Sequence, residues 1–326
     1  MLTDNGSVKK HIYIYSPSGA VRDKAAFKRG IKRLENLGHA VEVDPDALSS
    51  FQRFAGDDAT RLAAIHRAAS SGADVALISR GGYGLTRILG QIRYKAIAKA
   101  IERGTAFVGI SDFTAFQLAL LGKTGATTWA GPALCEGFGV GGKPQMVDSH
   151  SGGEAPAPDE IMEDCFNDML VGQGEGAGWR QHKEKVPGLD LRVSGAPIWG
   201  GNLTILASML GTPYFPEIKG GILFLEDVAE HPYRIERMLT QLLHSGVLAR
   251  QKAVLLGQFT EYKLTPHDKG FKLQSVVDWL RRQVKTPILT NLPYGHVATK
   301  ILLPVGGKAD LVVEGRDALL FWGDQA

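Results

Sequence analysis

Ser79-Arg80-Gly81-Gly82-Tyr83-Gly84 follows the apolar run Val75-Ala76-Leu77-Ile78, and Ser111-Asp112 follows Ala106-Phe107-Val108-Gly109-Ile110. Short apolar runs bounded by polar or glycine-rich turns are the mark of strands buried on both faces of a parallel sheet. The carboxyl ends of successive parallel strands open onto one crevice, where α/β proteins bind ligands. Here one strand-end loop offers bare backbone amides and the other a hydroxyl. Phe113-Thr114-Ala115-Phe116-Gln117-Leu118-Ala119-Leu120-Leu121 reads as a short buried helix, which puts Ser111 on a strand-to-helix turn. A serine nucleophile wants that position. Ser followed by Asp at a helix start is also the chemistry of an N-cap, and Phe113 stands where a Gly-x-Ser-x-Gly elbow has its second glycine. Gly81 and Gly82 also suit a plain tight turn with positive φ. What favours function is the placing of both loops on one edge of one sheet.

Outward from these loops, residues 11–130 alternate strands and helices. His11-Ile12-Tyr13-Ile14-Tyr15 is a strand, and the helix from Asp23 carries Phe27, Ile31 and Leu34 on one face and closes at Gly38. Ala40-Val41-Glu42-Val43 is followed by a helix from about Asp58 with Leu62, Ile65 and Ala69, and helices near Leu85–Leu89 and Ala96–Glu102 precede the strand that ends at Ile110. This βαβ rhythm predicts an α/β, doubly wound parallel sheet over 1–138. Residues 139–190 change texture. Glycines and prolines crowd together, a helix occupies Glu160–Leu170, and Gly172-Gln173-Gly174-Glu175-Gly176 follows, so the stretch reads as a linker or insertion. Residues 191–326 form a β-rich second domain with two or three helices. Its strands include Gly221–Glu226, Ala253–Gly257, Pro287–Thr290, Thr299–Leu303 and Asp310–Val313, and Ile235, Met238, Leu239, Leu242 and Leu243 mark an amphipathic helix.

The totals exclude several functions. A chain of 326 residues with 44% hydrophobic content has ample core for one large or two ordinary domains. A net charge of +3, with no basic run beyond Lys9-Lys10, leaves no electrostatic footprint for nucleic acid. No stretch approaches the roughly 20 apolar residues of a membrane span, and Met1–Ser7 lacks the apolar run of a secretory signal. The expected location is the cytoplasm. Cys135 and Cys165, the only cysteines, have neither metal-ligand nor disulfide-framework spacing. No His-Glu-x-x-His cluster is present, so no metal and no organic cofactor is expected.

A serine hydroxyl needs a base to remove its proton. Of nine histidines, His66 and His244 lie within helices, His39 follows a helix-closing glycine, His150 and His182 belong to the irregular stretch, and His267 sits in a polar loop. His11 starts a strand and His231 abuts Pro232 at a helix start. His296 differs. It lies in Asn291-Leu292-Pro293-Tyr294-Gly295-His296 after a strand, with the next strand expected from about Val297. A carboxylate is then needed to orient the imidazole. Glu226 ends an apolar strand, where an acid is costly unless paired. Asp227 is a competitor that also reads as a cap, and Glu230 is a partner for Arg234 four residues on.

With these residues in place the chain resembles the LD-carboxypeptidases, serine peptidases that trim the murein tetrapeptide. The likeness rests on Ser79–Gly84, Gly109–Ala115, Leu225-Glu226-Asp227 with Glu230–Arg237, and Gly295-His296, supported by Trp199-Gly200-Gly201-Asn202-Leu203 and Gly211-Thr212-Pro213. It spans nearly the whole chain. The resemblance implies a Rossmann-like N-terminal domain carrying Ser111 and a β-rich C-terminal domain carrying Glu226 and His296. It also implies a Ser-Glu-His triad and a homodimer with the site at the domain interface.

The expected reaction is attack of Ser111 on the amide that joins an L-centre to a terminal D-alanine. The Asp112 backbone N–H and one from Gly81-Gly82, taken as Gly82, would form the oxyanion hole. Arg80 is a candidate for the leaving residue's carboxylate or for bracing the sheet edge. Tyr83 and Asn202 are candidates for contacting the peptide, and Trp199 for contact or core packing. Two rivals share the residues: a relative that cleaves peptidyl-nucleotide antibiotics for self-immunity, and a non-catalytic module in which the glycine loop and the helix after Ser111 form an anion nest. A general α/β-hydrolase has the same Ser, acid, His order, but lacks support from position 113 and the β-rich second half.

Overall fold

The computed structural model describes residues 8–141, 157–182 and 189–323. The expectations placed on Met1–Ser7, on His150 and on much of the glycine- and proline-rich stretch lie outside the described residues. The chain forms two compact units, one of Met1–Phe113 with Trp129–Val171, the other of Thr114–Thr128 with Gly172–Ala326.

The elements run in chain order β1 (His11–Tyr15), α1 (Lys24–Asn36), β2 (Ala40–Val43), α2 (Asp58–Ser70), β3 (Val75–Ile78), α3 (Leu85–Ile88), α4 (Tyr94–Glu102) and β4 (Ala106–Gly109). They continue with α5 (Phe113–Thr124), β5 (Thr128–Ala130), α6 (Glu160–Val171), β6 (Gly176–Arg180), β7 (Leu191–Asn202), α7 (Leu203–Ser208), β8 (Ile222–Val228) and α8 (Pro232–His244). The last are β9 (Ala253–Thr260), α9 (Leu273–Gln283), β10 (Ile288–Leu289), β11 (Leu303–Val305), β12 (Lys308–Glu314) and β13 (Asp317–Phe321).

In the first unit five strands pair, all parallel, in the order β2-β1-β3-β4-β5. This is one of the two common doubly wound orders, with its switch point between β1 and β3. The α1 and α2 helices start where the sequence expects, because Asp23 and Asp57 accept hydrogen bonds from the first free backbone N–H groups. The sheet core, with Ile12, Ile14, Val75, Leu77 and Val108, is wholly buried. The helix expected inside the linker is α6, and it packs in this unit. Phe166 meets Phe138 edge-on at 5.0 Å, and Arg33 Nε donates to Glu163 at 2.7 Å.

The second unit has a seven-stranded sheet in the order β10-β9-β8-β7-β12-β13-β6. The strands β10, β9, β8 and β7 run parallel, and β7, β12, β13 and β6 antiparallel. The twelve-residue β7 joins the two kinds of pairing: its final residues, Ile198–Asn202, pair with β8, and its earlier ones with β12. The second half of the chain is therefore mixed, with a parallel portion of its own. β6 extends from the stretch read as a linker. The strand expected from about Val297 does not form: Val297 N–H bonds back to the Gly295 carbonyl and Ile301 N–H to the Pro293 carbonyl, so the backbone closes a loop and β11 begins only at Leu303. Among the described residues no helix is long and apolar enough to cross a membrane.

Candidate active site

In the first unit the loops after β1, β3 and β4 are held together by glycines. Ser111 leaves β4 with φ 67°, a left-handed conformation that a residue with a Cβ adopts only under constraint. The turn is closed by Phe113 N–H on the Ile110 carbonyl at 3.3 Å. Gly81 lies directly against this serine. A Cβ built there would stand 2.5 Å from Ser111 Cβ and 2.8 Å from its Oγ, so only glycine fits while Ser111 keeps its place. Gly82, at φ 123°, would bring a Cβ within 3.0 Å of Gly19 Cα. Gly19 N–H in turn donates to the Gly81 carbonyl at 3.2 Å. Among the described residues neither the Gly82 nor the Asp112 backbone N–H donates a hydrogen bond, which leaves both available to an anion.

The Asp112 side chain is buried, and burial pushes its carboxyl pKa up. The Arg80 guanidinium donates to the Ala20 carbonyl at 3.2 Å and to Glu136 at 3.4 Å. Tyr83 is exposed, its ring 5.9 Å from Phe54 and under the Arg53 guanidinium.

In the second unit Glu226 sits near the end of β8 with its side chain fully buried. Its Oε2 is 2.7 Å from His296 Nδ1. An ionised Glu226 accepts from Nδ1–H and thereby leaves the lone pair on Nε2, the tautomer a general base needs. Gly295, at φ 144°, lets the histidine loop approach: a Cβ there would lie 3.0 Å from the Gln258 carbonyl oxygen and 3.3 Å from Glu226 Cβ. The His296 side chain remains about a fifth exposed.

Glu226 is held from its other side. Asn202 Nδ2 donates to Glu226 Oε1 at 3.2 Å and to Asp227 Oδ1 at 2.9 Å, while Asn202 Oδ1 caps α7 through Ile205 N–H. Asp227 also accepts from the Thr204 N–H and hydroxyl, each at 2.8 Å. Burial pushes its pKa up, against these donors. Asp227, which the sequence offers as a competitor or a cap, and Thr204, which it leaves unassigned, are thus parts of the acid's support. Glu230 pairs with Arg234, as the spacing predicts.

Asn202 and Trp199, the sequence's candidates for peptide contact, are both buried within the unit. Asn202 is buried between two carboxylates, and Trp199 is wholly buried, its indole N–H donating to Gln251 at 3.0 Å and its ring edge-on to Phe215.

Residues 12–131 match the sequence profile of the LD-carboxypeptidase N-terminal domain, and residues 195–311 that of the C-terminal domain. The chain belongs to the LD-carboxypeptidase family. Within that family it is 30% identical over 288 residues to the probable murein peptide carboxypeptidase of Bacillus subtilis, covering 88% of this chain and 84% of that one. The crystal structure of muramoyltetrapeptide carboxypeptidase from Oxalobacter formigenes superposes with a TM-score of 0.82 at 36% identity, covering 96% of this chain and 99% of that one. The microcin C7 self-immunity protein of Escherichia coli is 28% identical over 246 residues, 70% of this chain and 68% of that one. Membership of the LD-carboxypeptidases makes the protein a peptidase with the two-domain α/β architecture of that family.

Proposed function

We propose that this protein is a serine-type LD-carboxypeptidase that releases the terminal D-alanine from murein tetrapeptides in the cytoplasm, as a homodimer, during peptidoglycan recycling. The observation that carries the reading is the 2.7 Å pair between a wholly buried Glu226 and a partly exposed His296, since a buried acid that orients an accessible imidazole is the acid–base half of a triad. The strained turn at Ser111 and the idle amides of Gly82 and Asp112 support it from the other unit.

In this mechanism His296 Nε2 takes the Ser111 proton as Oγ attacks the carbonyl carbon before D-alanine. The tetrahedral oxyanion is held by the Gly82 and Asp112 N–H groups. His296 then gives its proton to the departing amine, D-alanine leaves, and an acyl-enzyme ester remains on Ser111. Water, deprotonated by His296, attacks the ester and regenerates the serine. Glu226 stays ionised and stabilises the imidazolium at both stages. Tyr83, exposed beside Gly82, contacts the substrate, and Arg80 braces the loop that carries both.

The test is D-alanine release from a free murein tetrapeptide by the purified protein, with Ser111→Ala and His296→Ala alongside at verified folding. Both variants should lose activity by orders of magnitude. A second reading rests on the similarity to the microcin C7 self-immunity protein. It predicts turnover of an aminoacyl-sulfamoyl adenosine in preference to the tetrapeptide, so the two substrates in one assay separate the readings. Unchanged activity in Ser111→Ala would refute both.

A further inference from the structure

The backbone N–H of Asp112 has a role above, but its carboxylate does not, although it is 1% exposed and lies one residue from the nucleophile. A buried carboxylate with no task is expensive. Its Oδ2 accepts from Leu85 N–H at 3.0 Å. Leu85 directly follows Gly84, whose φ of 128° suits only glycine and where a Cβ would stand 2.7 Å from Arg61 Nη1 and 2.8 Å from the Phe54 ring. Arg61 is wholly buried and fixed in turn, with Nη1 on the Pro17 carbonyl and Nη2 on Asp58.

The loop from Arg80 to Leu85 is thus fastened at one end to Ser111 and at the other to the adjacent Asp112. Gly81 packs on Ser111, and Leu85 N–H is tied to Asp112. Gly82, the other candidate oxyanion donor, lies between the two fastenings. We propose that the Asp112 carboxylate is a positioning residue that sets the spacing between the Gly82 and Asp112 amides, so that one residue contributes an oxyanion donor through its backbone and places the second through its side chain.

The nearby Arg61 charge and the Leu85 donor both favour the ionised carboxylate, while burial opposes it. What the geometry requires is an acceptor at Oδ2, and an amide oxygen also supplies one. This inference rests on the serine-peptidase reading, and its test can fail separately from it.

Asp112→Ala and Asp112→Asn are compared with wild type in two assays: D-alanine release, resolved into kcat and KM, and the rate at which a fluorophosphonate probe labels Ser111. The probe passes through an oxyanion-like transition state but needs no peptide recognition. Asp112→Ala should lower kcat by about 10²–10³-fold, the loss typical of a misplaced oxyanion donor, with KM within about threefold and labelling slowed in parallel. Asp112→Asn should recover to within about tenfold of wild type in both. Should Asp112→Ala not fold, Asp112→Ser replaces it, since its hydroxyl is too short to reach Leu85 N–H. Labelling and turnover at wild-type rates in the Ala or Ser variant would overturn the inference. So would an Asn variant as slow as the Ala variant, because the acceptor would then not be what matters. A wild-type protein that labels but releases no D-alanine would count against the proposed substrate and leave this inference intact. Failure of the wild type to label at all would remove the nucleophile, and the inference with it.

Discussion

Gly81→Ala separates the packing of the nucleophile from every other property of its loop. The φ of Gly81 is not left-handed, so alanine meets no backbone penalty there. The penalty is steric: the new Cβ would stand 2.5 Å from Ser111 Cβ, where ordinary contact begins at 3.4 Å, so about 0.9 Å must be found. Ser111 has little freedom to supply it, being already held at φ 67° between β4 and α5. Overpacking of this kind costs about 1–3 kcal/mol of stability. A displacement near 1 Å at a reacting group costs on the order of 10²-fold in rate.

The assay is urea denaturation together with D-alanine release, with Gly72→Ala and Gly104→Ala as controls. Those two glycines have φ of 72° and 101° but nothing within 4 Å of a built Cβ. They should lose roughly 1–2 kcal/mol of stability from the left-handed backbone and keep full activity per folded molecule. Gly81→Ala should lose comparable stability and about 10²-fold in activity. A Gly81→Ala protein that unfolds like the wild type and turns over like it would refute the packing of this loop on Ser111. One that is destabilised yet fully active would refute the role of Ser111 as nucleophile.

Three further outcomes are expected. Glu226→Gln should lower kcat by about 10⁴-fold with little change in the unfolding midpoint, because the carboxamide no longer fixes the Nδ1–H tautomer; steady-state kinetics with a thermal scan checks this. Arg33→Ala, which leaves the nearly buried Glu163 without its guanidinium, should cost about 1–3 kcal/mol in urea titrations, and the loss should shrink when Glu163→Gln is added. Burial opposes ionisation of Asp44, but the hydrogen bonds from Arg67 and Tyr13 outweigh it and hold its carboxyl below the usual range. Its stabilisation is therefore complete above the unfolded value near pH 4 and is lost as pH falls below that. The stability gap between wild type and Asp44→Asn should close as pH falls below about 4, and a gap independent of pH would contradict the assignment.

The two strand-end loops of the first unit were legible because each follows a short apolar run, and the helix from Asp23 because its apolar residues recur on one face. Glu226 was legible as an acid at the end of an otherwise apolar strand, and His296 as a histidine freed by a preceding glycine. Other features depend on pairing that no local pattern encodes. The α5 helix is buried on every side from Phe113 to Leu120, so it has no polar face to say which unit it joins, and from Thr114 it falls with the second. β6 contains two glycines in five residues and reads as a linker, yet the antiparallel partner β13 makes it an edge strand. Conversely, Thr299–Leu302 has the composition of a strand and is drawn into a loop by the hydrogen bonds of Pro293 and Gly295. The support of Glu226 by Asn202 and Asp227 was also hidden, since it joins the ends of two neighbouring parallel strands.

That support makes Asn202 the position where a near-isosteric change should do more harm than deletion. Its backbone N–H donates to Thr114 Oγ1 at 3.0 Å, its side-chain oxygen caps α7, and its amide nitrogen serves Glu226 and Asp227 together. Asn202→Ala leaves the two acids without a shared donor and α7 without its cap, a loss of about 1–3 kcal/mol. Asn202→Asp keeps the cap but replaces the shared donor with a third carboxylate about 3 Å from two buried ones. An uncompensated buried charge costs about 3–5 kcal/mol, so Asn202→Asp should be the less stable of the two at pH 7. Its stability should recover toward acid, where a carboxylate of the cluster takes up a proton and can donate in place of the amide. Urea titrations of both variants at pH 7 and pH 5 decide the matter. An Asn202→Asp protein as stable as the wild type at pH 7 would refute the role of the Asn202 amide as the shared donor to two buried carboxylates.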